Sequence, residues 1–141
     1  MKKITTAFIC VLIALSVTAQ KPADLTILIT GLKNTNGQVL VALFNKPENF
    51  PDAGQATYGS QQITPRRDTV EVCFLDLLPG VYAISFVHDE NNNEKMDTMV
   101  GIPKEKYGVS NNIRMGFGPP GFSEAKFRLV NDTTIIIRPS N

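Results

Sequence analysis

Residues 68–87, DTVEVCFLDLLPGVYAISFV, alternate apolar and polar side chains on both sides of a Pro-Gly corner. Val70, Val72 and Phe74 share one face of the first half, and Thr69, Glu71 and Cys73 share the other. That period of two is the pattern of a half-buried strand, so strands are predicted over Asp68–Leu75 and Val81–Val87. Pro79-Gly80 predicts a type II turn between them, in which proline sets the first central residue and glycine takes the left-handed second. Cys73 reads as a small buried or half-buried strand residue, because no basic neighbour is present to activate its thiol.

Working outward, Asp24–Leu32 (DLTILITGL) and Gln38–Asn45 (QVLVALFN) show the same alternation on either side of Asn34-Thr35-Asn36-Gly37. Asn-Gly tolerates the positive φ of a tight turn, so the first two strands are expected to pair as a hairpin. Ala125–Val130 and Thr133–Arg138, separated by Asn131-Asp132, read as a closing hairpin. Residues 46–67, with three prolines and two glycines, read as a long connection. Tyr82 lies two residues past the corner and shares a face with Ile84, Phe86 and His88. Its hydroxyl is placed to bond back to the corner backbone, a device of immunoglobulin-like sandwiches. The expected fold is all-β: an antiparallel Ig-like or transthyretin-like (prealbumin-type) sandwich of about seven strands with one long ordered loop, in preference to a small closed barrel.

The chain has 141 residues and opens with a basic start at Lys2 and Lys3, an apolar run over 7–17, and Val17-Thr18-Ala19. These are the parts of a secretory signal, with cleavage expected near Ala19 and the protein periplasmic or secreted. The run is too short to span a bilayer comfortably, and Cys10 lies in its middle instead of at its end, which disfavours a lipid anchor. Residues 20–141 then form one domain with no transmembrane segment. Without Lys2 and Lys3 the balance is 12 basic against 13 acidic residues, which argues against a nucleic-acid surface. Of the two cysteines only Cys73 remains, so no internal disulfide forms.

The unusual chemistry is confined to residues 88–122, HDENNNEKMDTMVGIPKEKYGVSNNIRMGFGPPGF, which contain the single histidine. Asp89, Asn91, Asn93 and Asp97 bring side-chain oxygens at positions 1, 3, 5 and 9 of a loop, and Lys95 offers a backbone carbonyl at position 7. Alternate oxygens of this kind suit a hard cation, so the candidate metal ligands are Asp89, Asn91, Asn93, Lys95 and Asp97, and the candidate ion is calcium (Ca2+). Glu94 occupies the position where the tight turn normally takes glycine, and Val100 the one where a bidentate acid normally closes the site. Glu90 and Glu105 are the acids available to supply the missing ligand. Tyr107, Ile113, Phe117 and Phe122 are expected to pin the rest of the loop over the sandwich.

Gly116 to Gly121 spells G-x-G-x-x-G but lacks the strand-to-helix setting that makes it a dinucleotide motif. His88 with Asp89 or Glu105 is the candidate set for a small hydrolase or isomerase. Ser110 has no nucleophile elbow around it, and His88 and Asp89, as neighbours on a strand, face opposite ways. A histidine that closes a core strand is the reading the residues favour.

Leu77–Tyr82 (L-x-P-G-x-Y), 86–97 (F-x-H-D-E-N-x-N-x-x-x-D), 101–112 (G-I-P-x-E-x-Y-G-x-S-N-N) and 118–122 (G-P-P-x-F) together resemble a bacterial family of exported proteins, domain-of-unknown-function family 2141. The resemblance extends over nearly the whole chain after the signal. It implies an exported sandwich of transthyretin or carboxypeptidase-regulatory type and no activity. Where this chain has Glu94, the family more commonly has glycine.

The expectation is therefore a non-enzymatic exported module of unknown role whose 88–122 loop, organised by calcium, presents a binding surface. The candidate partners are an envelope protein or a small ligand at that loop. The loop's aromatics also suggest a carrier that holds an apolar ligand between loop and sheet.

Overall fold

The computed structural model describes residues 20–114 and 116–140; the signal expected over 1–19, with Cys10, lies outside them. Its strands are β1 (Ala23–Thr30), β2 (Gln38–Phe44), β3 (Gly59–Ile63), β4 (Thr69–Leu77), β5 (Gly80–Asp89), β6 (Thr98–Met99), β7 (Ile102–Pro103), β8 (Tyr107–Val109), β9 (Phe127–Leu129) and β10 (Thr133–Ile137). They form a three-stranded sheet, β10-β1-β4, a five-stranded sheet whose path is β3-β2-β5-β8 with β9 also on β5, and the small β6-β7 hairpin. No helix among the described residues is long and apolar enough to cross a membrane.

Alternation places the core. Leu25, Ile27 and Ile29 of β1, with Val70, Val72 and Phe74 of β4, bury one face of the smaller sheet. Val39, Val41 and Leu43 of β2, with Tyr82, Ile84 and Phe86 of β5, meet them from the larger sheet in the same cluster. Each such side chain contributes about 1.5–3 kcal/mol on burial. This is the arrangement of an all-β sandwich.

The larger sheet is buried on its outer face as well. Leu40, Ala42 and Phe44 of β2 and Val87 of β5 are covered by residues 50–56 and by Met96, Tyr107 and Phe122 from the loop. Phe44, Phe50 and Phe122 stack edge to face at 5.1 and 5.9 Å, which joins the 46–58 connection to the end of the loop.

Several expectations are corrected. β1 and β2 do not pair: β1 lies between β10 and β4, and β2 between β3 and β5. The seven residues between them are enough to cross from one sheet to the other, and a two-residue hairpin turn is not formed. The closing hairpin is likewise absent, because β9 joins β5 while β10 runs parallel to β1. The sandwich is therefore not wholly antiparallel; among the described residues it has eight strands, close to the seven expected, with the β6-β7 hairpin standing apart. Residues 46–67 contain β3, a polar edge strand whose sequence GSQQI carries little strand propensity but whose backbone completes the ladder with β2.

At the corner, the Tyr82 hydroxyl donates to the Leu78 carbonyl at 2.8 Å, as the sequence predicts. Gly80 does not take the left-handed turn position; it already opens β5 opposite Leu129, and Asp76 carries the positive φ, +53°. Cys73 is exposed, not half-buried, because the outer face of β4 has no layer over it.

Candidate functional site

β5 runs directly into the acidic loop, and its last two residues point to opposite faces as a strand requires. His88 is 0 % exposed, at the end of the inner face, with Nε2 2.8 Å from the Asn36 carbonyl. That carbonyl can only accept, so Nε2 carries the proton. Nδ1 is buried with no hydrogen-bond partner in the protein.

Asp89, also 0 % exposed, organises the loop. Its Oδ1 accepts the Asn93 N–H at 3.1 Å and its Oδ2 the Glu94 N–H at 2.8 Å. Asn91 Oδ1 accepts the Asn93 N–H at 3.0 Å, and Asn93 Oδ1 accepts the Lys95 N–H at 2.9 Å. Successive side-chain-to-backbone turns of this type curl the chain without secondary structure. The curl needs left-handed residues, and Asn92 (+58°) and Glu94 (+59°) supply them. Glu94 therefore adopts the conformation for which glycine is the usual choice, at a cost on the order of 1 kcal/mol.

Asp97 closes the ring. Asn91 Nδ2 donates to its Oδ2 at 2.6 Å and Asn93 Nδ2 to its Oδ1 at 2.9 Å. The Asp97 N–H in turn reaches Glu105 Oε2 at 3.0 Å, and the Glu90 N–H reaches Glu105 Oε1 at 3.1 Å. Glu90 is tied to the β1–β2 connection by the Asn34 amide at 2.8 Å. β8 pairs with β5 at Val87↔Tyr107, which brings Glu105, two residues upstream, beside the end of β5.

Glu105 is 4 % exposed. Burial raises its carboxyl above the ordinary 4.5; the N–H bonds from Asp97 and Glu90 oppose this without offsetting it, and the charges of Asp97 and Asp89 push the same way as burial.

The loop thus brings together Asp89, Asn91, Asn93 and Asp97, and with them Glu105, one of the two acids the sequence offered for the missing ligand; Glu90 contributes its N–H instead. Lys95 takes part through its N–H. The donors are all oxygens, which suits a hard cation and not zinc. As hydrogen-bonded here, the amide N–H ends of Asn91 and Asn93 face Asp97. Among the described residues no three acidic, histidine or cysteine side chains stand as a ready metal-binding group, so an ion would need those amides turned to present oxygen.

The catalytic candidates are otherwise engaged. Ser110 Oγ donates to the Ala125 carbonyl at 2.6 Å and accepts the Ile84 N–H at 2.9 Å. Phe117, expected to pin the loop, is fully exposed; Tyr107, Ile113 and Phe122 do the pinning.

Beyond the acidic ring the loop arches over the outer face of the five-stranded sheet, leaving a cleft of about 900 Å³. Its floor includes Leu40, Ser85, Val87 and Val109, and its roof includes Pro103 and Phe117.

No curated protein and no solved structure matches the chain. Residues 27–137, which contain the acidic ring, the cleft and both sheets apart from the first half of β1, match the family described as "Uncharacterized protein conserved in bacteria (DUF2141)", and the chain belongs to that family.

Proposed function

We propose that this chain is an exported, non-catalytic β-sandwich module whose 88–122 loop is organised by a calcium ion and presents a binding surface. The observation that carries the reading is the single hydrogen-bonded ring formed by Asp89, Asn91, Asn93 and Asp97 and closed by Glu105. Asp89, Asp97 and Glu105 would supply carboxylate oxygens, Asn91 and Asn93 their amide oxygens after rotation, and Lys95 its carbonyl. Glu105 would stand in for the closing acid that Val100 cannot provide. An ion at that point would neutralise the mutual repulsion of buried carboxylates, and sites of this extracellular kind bind at about 10⁻⁴–10⁻³ M.

The non-catalytic part is supported by the hydrogen bonds already made by His88, Asp89 and Ser110, none of which leaves a nucleophile beside a base. Export is supported by the signal pattern of residues 1–19.

The test is a thermal melt in calcium and in chelator. At ten times the dissociation constant, linkage adds about 1.4 kcal/mol, or about 4 °C for a domain of this size. Asp97→Ala should abolish the shift. An unmoved midpoint at millimolar calcium removes the cation from the reading, and a mass other than that of a chain beginning at Gln20 removes the cleavage site.

A further inference from the structure

Ser85 sits in the middle of β5 on the outer face, in register with Ala42 of β2 and Val109 of β8. It is 2 % exposed, it lines the cleft floor, and its Oγ has no hydrogen-bond partner in the protein. Its neighbours there, Leu40, Val87 and Val109, are apolar. A buried hydroxyl left unpaired is costly to the fold, and an alanine at this position would fill the same place without that cost. Small-molecule sites combine an apolar concave wall with a few polar groups, in volumes of roughly 300–1,000 Å³. The cleft, at about 900 Å³, matches in size, and Ser85 is the polar group at its floor.

The charged residues lining the cleft are Asp52, Glu94 and Lys95, and all three are exposed. Being exposed, they lie at the mouth, two acids against one base, and no buried charged side chain lines the cleft, so nothing within recognises a charged ligand. Ile102 and Phe117, both exposed, add apolar surface around the same opening. We propose that the cleft between the loop and the outer face of the five-stranded sheet binds an uncharged, mainly apolar small molecule whose hydrogen-bonding group pairs with Ser85. This rests on the reading of the loop as a binding surface, and not on its ion.

The probe is N-phenyl-1-naphthylamine, which is uncharged and apolar, carries one N–H, and fluoresces more strongly away from water. Titrated into the mature chain, it should bind saturably at one probe per chain and be displaced by a long-chain alcohol. Ser85→Ala should weaken binding about fivefold, the loss expected for one neutral hydrogen bond. The same variant should melt about 3 °C higher without probe, since it removes the unpaired hydroxyl. Ser85→Thr, which keeps the hydroxyl, should bind like the wild type. Absence of saturable binding, or equal affinity in wild type and Ser85→Ala, overturns the proposal. Saturable binding in chelator that depends on Ser85 supports the cleft even if calcium leaves the midpoint unmoved, so the two readings fail separately.

Discussion

The Glu105 carboxylate accepts the Asp97 backbone N–H at 3.0 Å, and with its other oxygen it holds the Glu90 N–H at 3.1 Å. One buried side chain thus clamps the two ends of the acidic ring. Replacing Glu105 with alanine leaves both N–H groups without their charged acceptor, and chemical denaturation should show a loss of about 2 kcal/mol. A loss below about 0.5 kcal/mol would mean the ring closes without it.

Because burial raises the Glu105 carboxyl above 4.5, the native state holds this proton more tightly than the unfolded chain does. The stability this confers is fully present below the ordinary value and is lost as pH rises through the raised one. In chelator, melting midpoints of the wild type and Glu105→Gln between about pH 4 and 8 should therefore converge or cross as pH rises, at the expense of the wild type. A difference independent of pH contradicts this.

Val100 and Gly101 form the two-residue turn between β6 and β7, with φ of +53° and +76°. Both positive values belong to a type I′ turn, for which Asn-Gly is the favoured pair. Val100 is 98 % exposed, so it gains no burial in return for a conformation that β-branched residues avoid. Val100→Asn should stabilise by about 1 kcal/mol in a denaturant titration. An unchanged midpoint would show that the hairpin frays in solution.

Tyr82 donates its hydroxyl to Leu78 and meets the Tyr58 ring edge to face at 5.4 Å. Tyr82→Phe should cost about 1 kcal/mol. Burial, and then the neighbouring Tyr58, push the Tyr82 hydroxyl above its ordinary 10, so its contribution is present below that value and lost as pH climbs through the raised one. The phenylalanine variant should lose less stability than the wild type over that alkaline range.

Gly37 has φ +62° and packs against the Asp89 carbonyl, where an added Cβ would collide with backbone. Gly37→Ala should cost about 3 kcal/mol or prevent folding, from strain and overlap together. If the variant folds, its calcium response should be weakened, because Asp89 must move. A midpoint within about 1 °C of the wild type would refute the contact.

Much of the fold is legible locally. Val70, Val72 and Phe74 face the core as their spacing indicates, and the Tyr82 hydroxyl reaches the corner. The side chains of Asp89, Asn91, Asn93 and Asp97 meet in one hydrogen-bonded ring, although the amides of Asn91 and Asn93 turn their N–H ends toward Asp97. Other features had no local signal: β3 is polar, and Glu94 takes a backbone conformation that its side chain does not favour.

Periodicity determined the long strands β1, β2, β4 and β5 and which face of each meets the core, because a side chain's exposure depends on where it points along its own backbone. It gave no sign of β3 or of the short β6, β7 and β8. Only the tertiary structure decided which strands are partners, since ladder hydrogen bonds are made by backbone groups that every residue carries. That is why Asn36-Gly37 reads as a hairpin turn but serves instead as a crossing, with the Asn36 carbonyl on His88 and Gly37 against Asp89. It is also why the clamp made by Glu105 and the isolation of the Ser85 hydroxyl exist only in three dimensions. The return of β8 to β5 sets Glu105 beneath the acidic ring, and the arch of the loop over the outer sheet leaves the Ser85 hydroxyl in an apolar cleft.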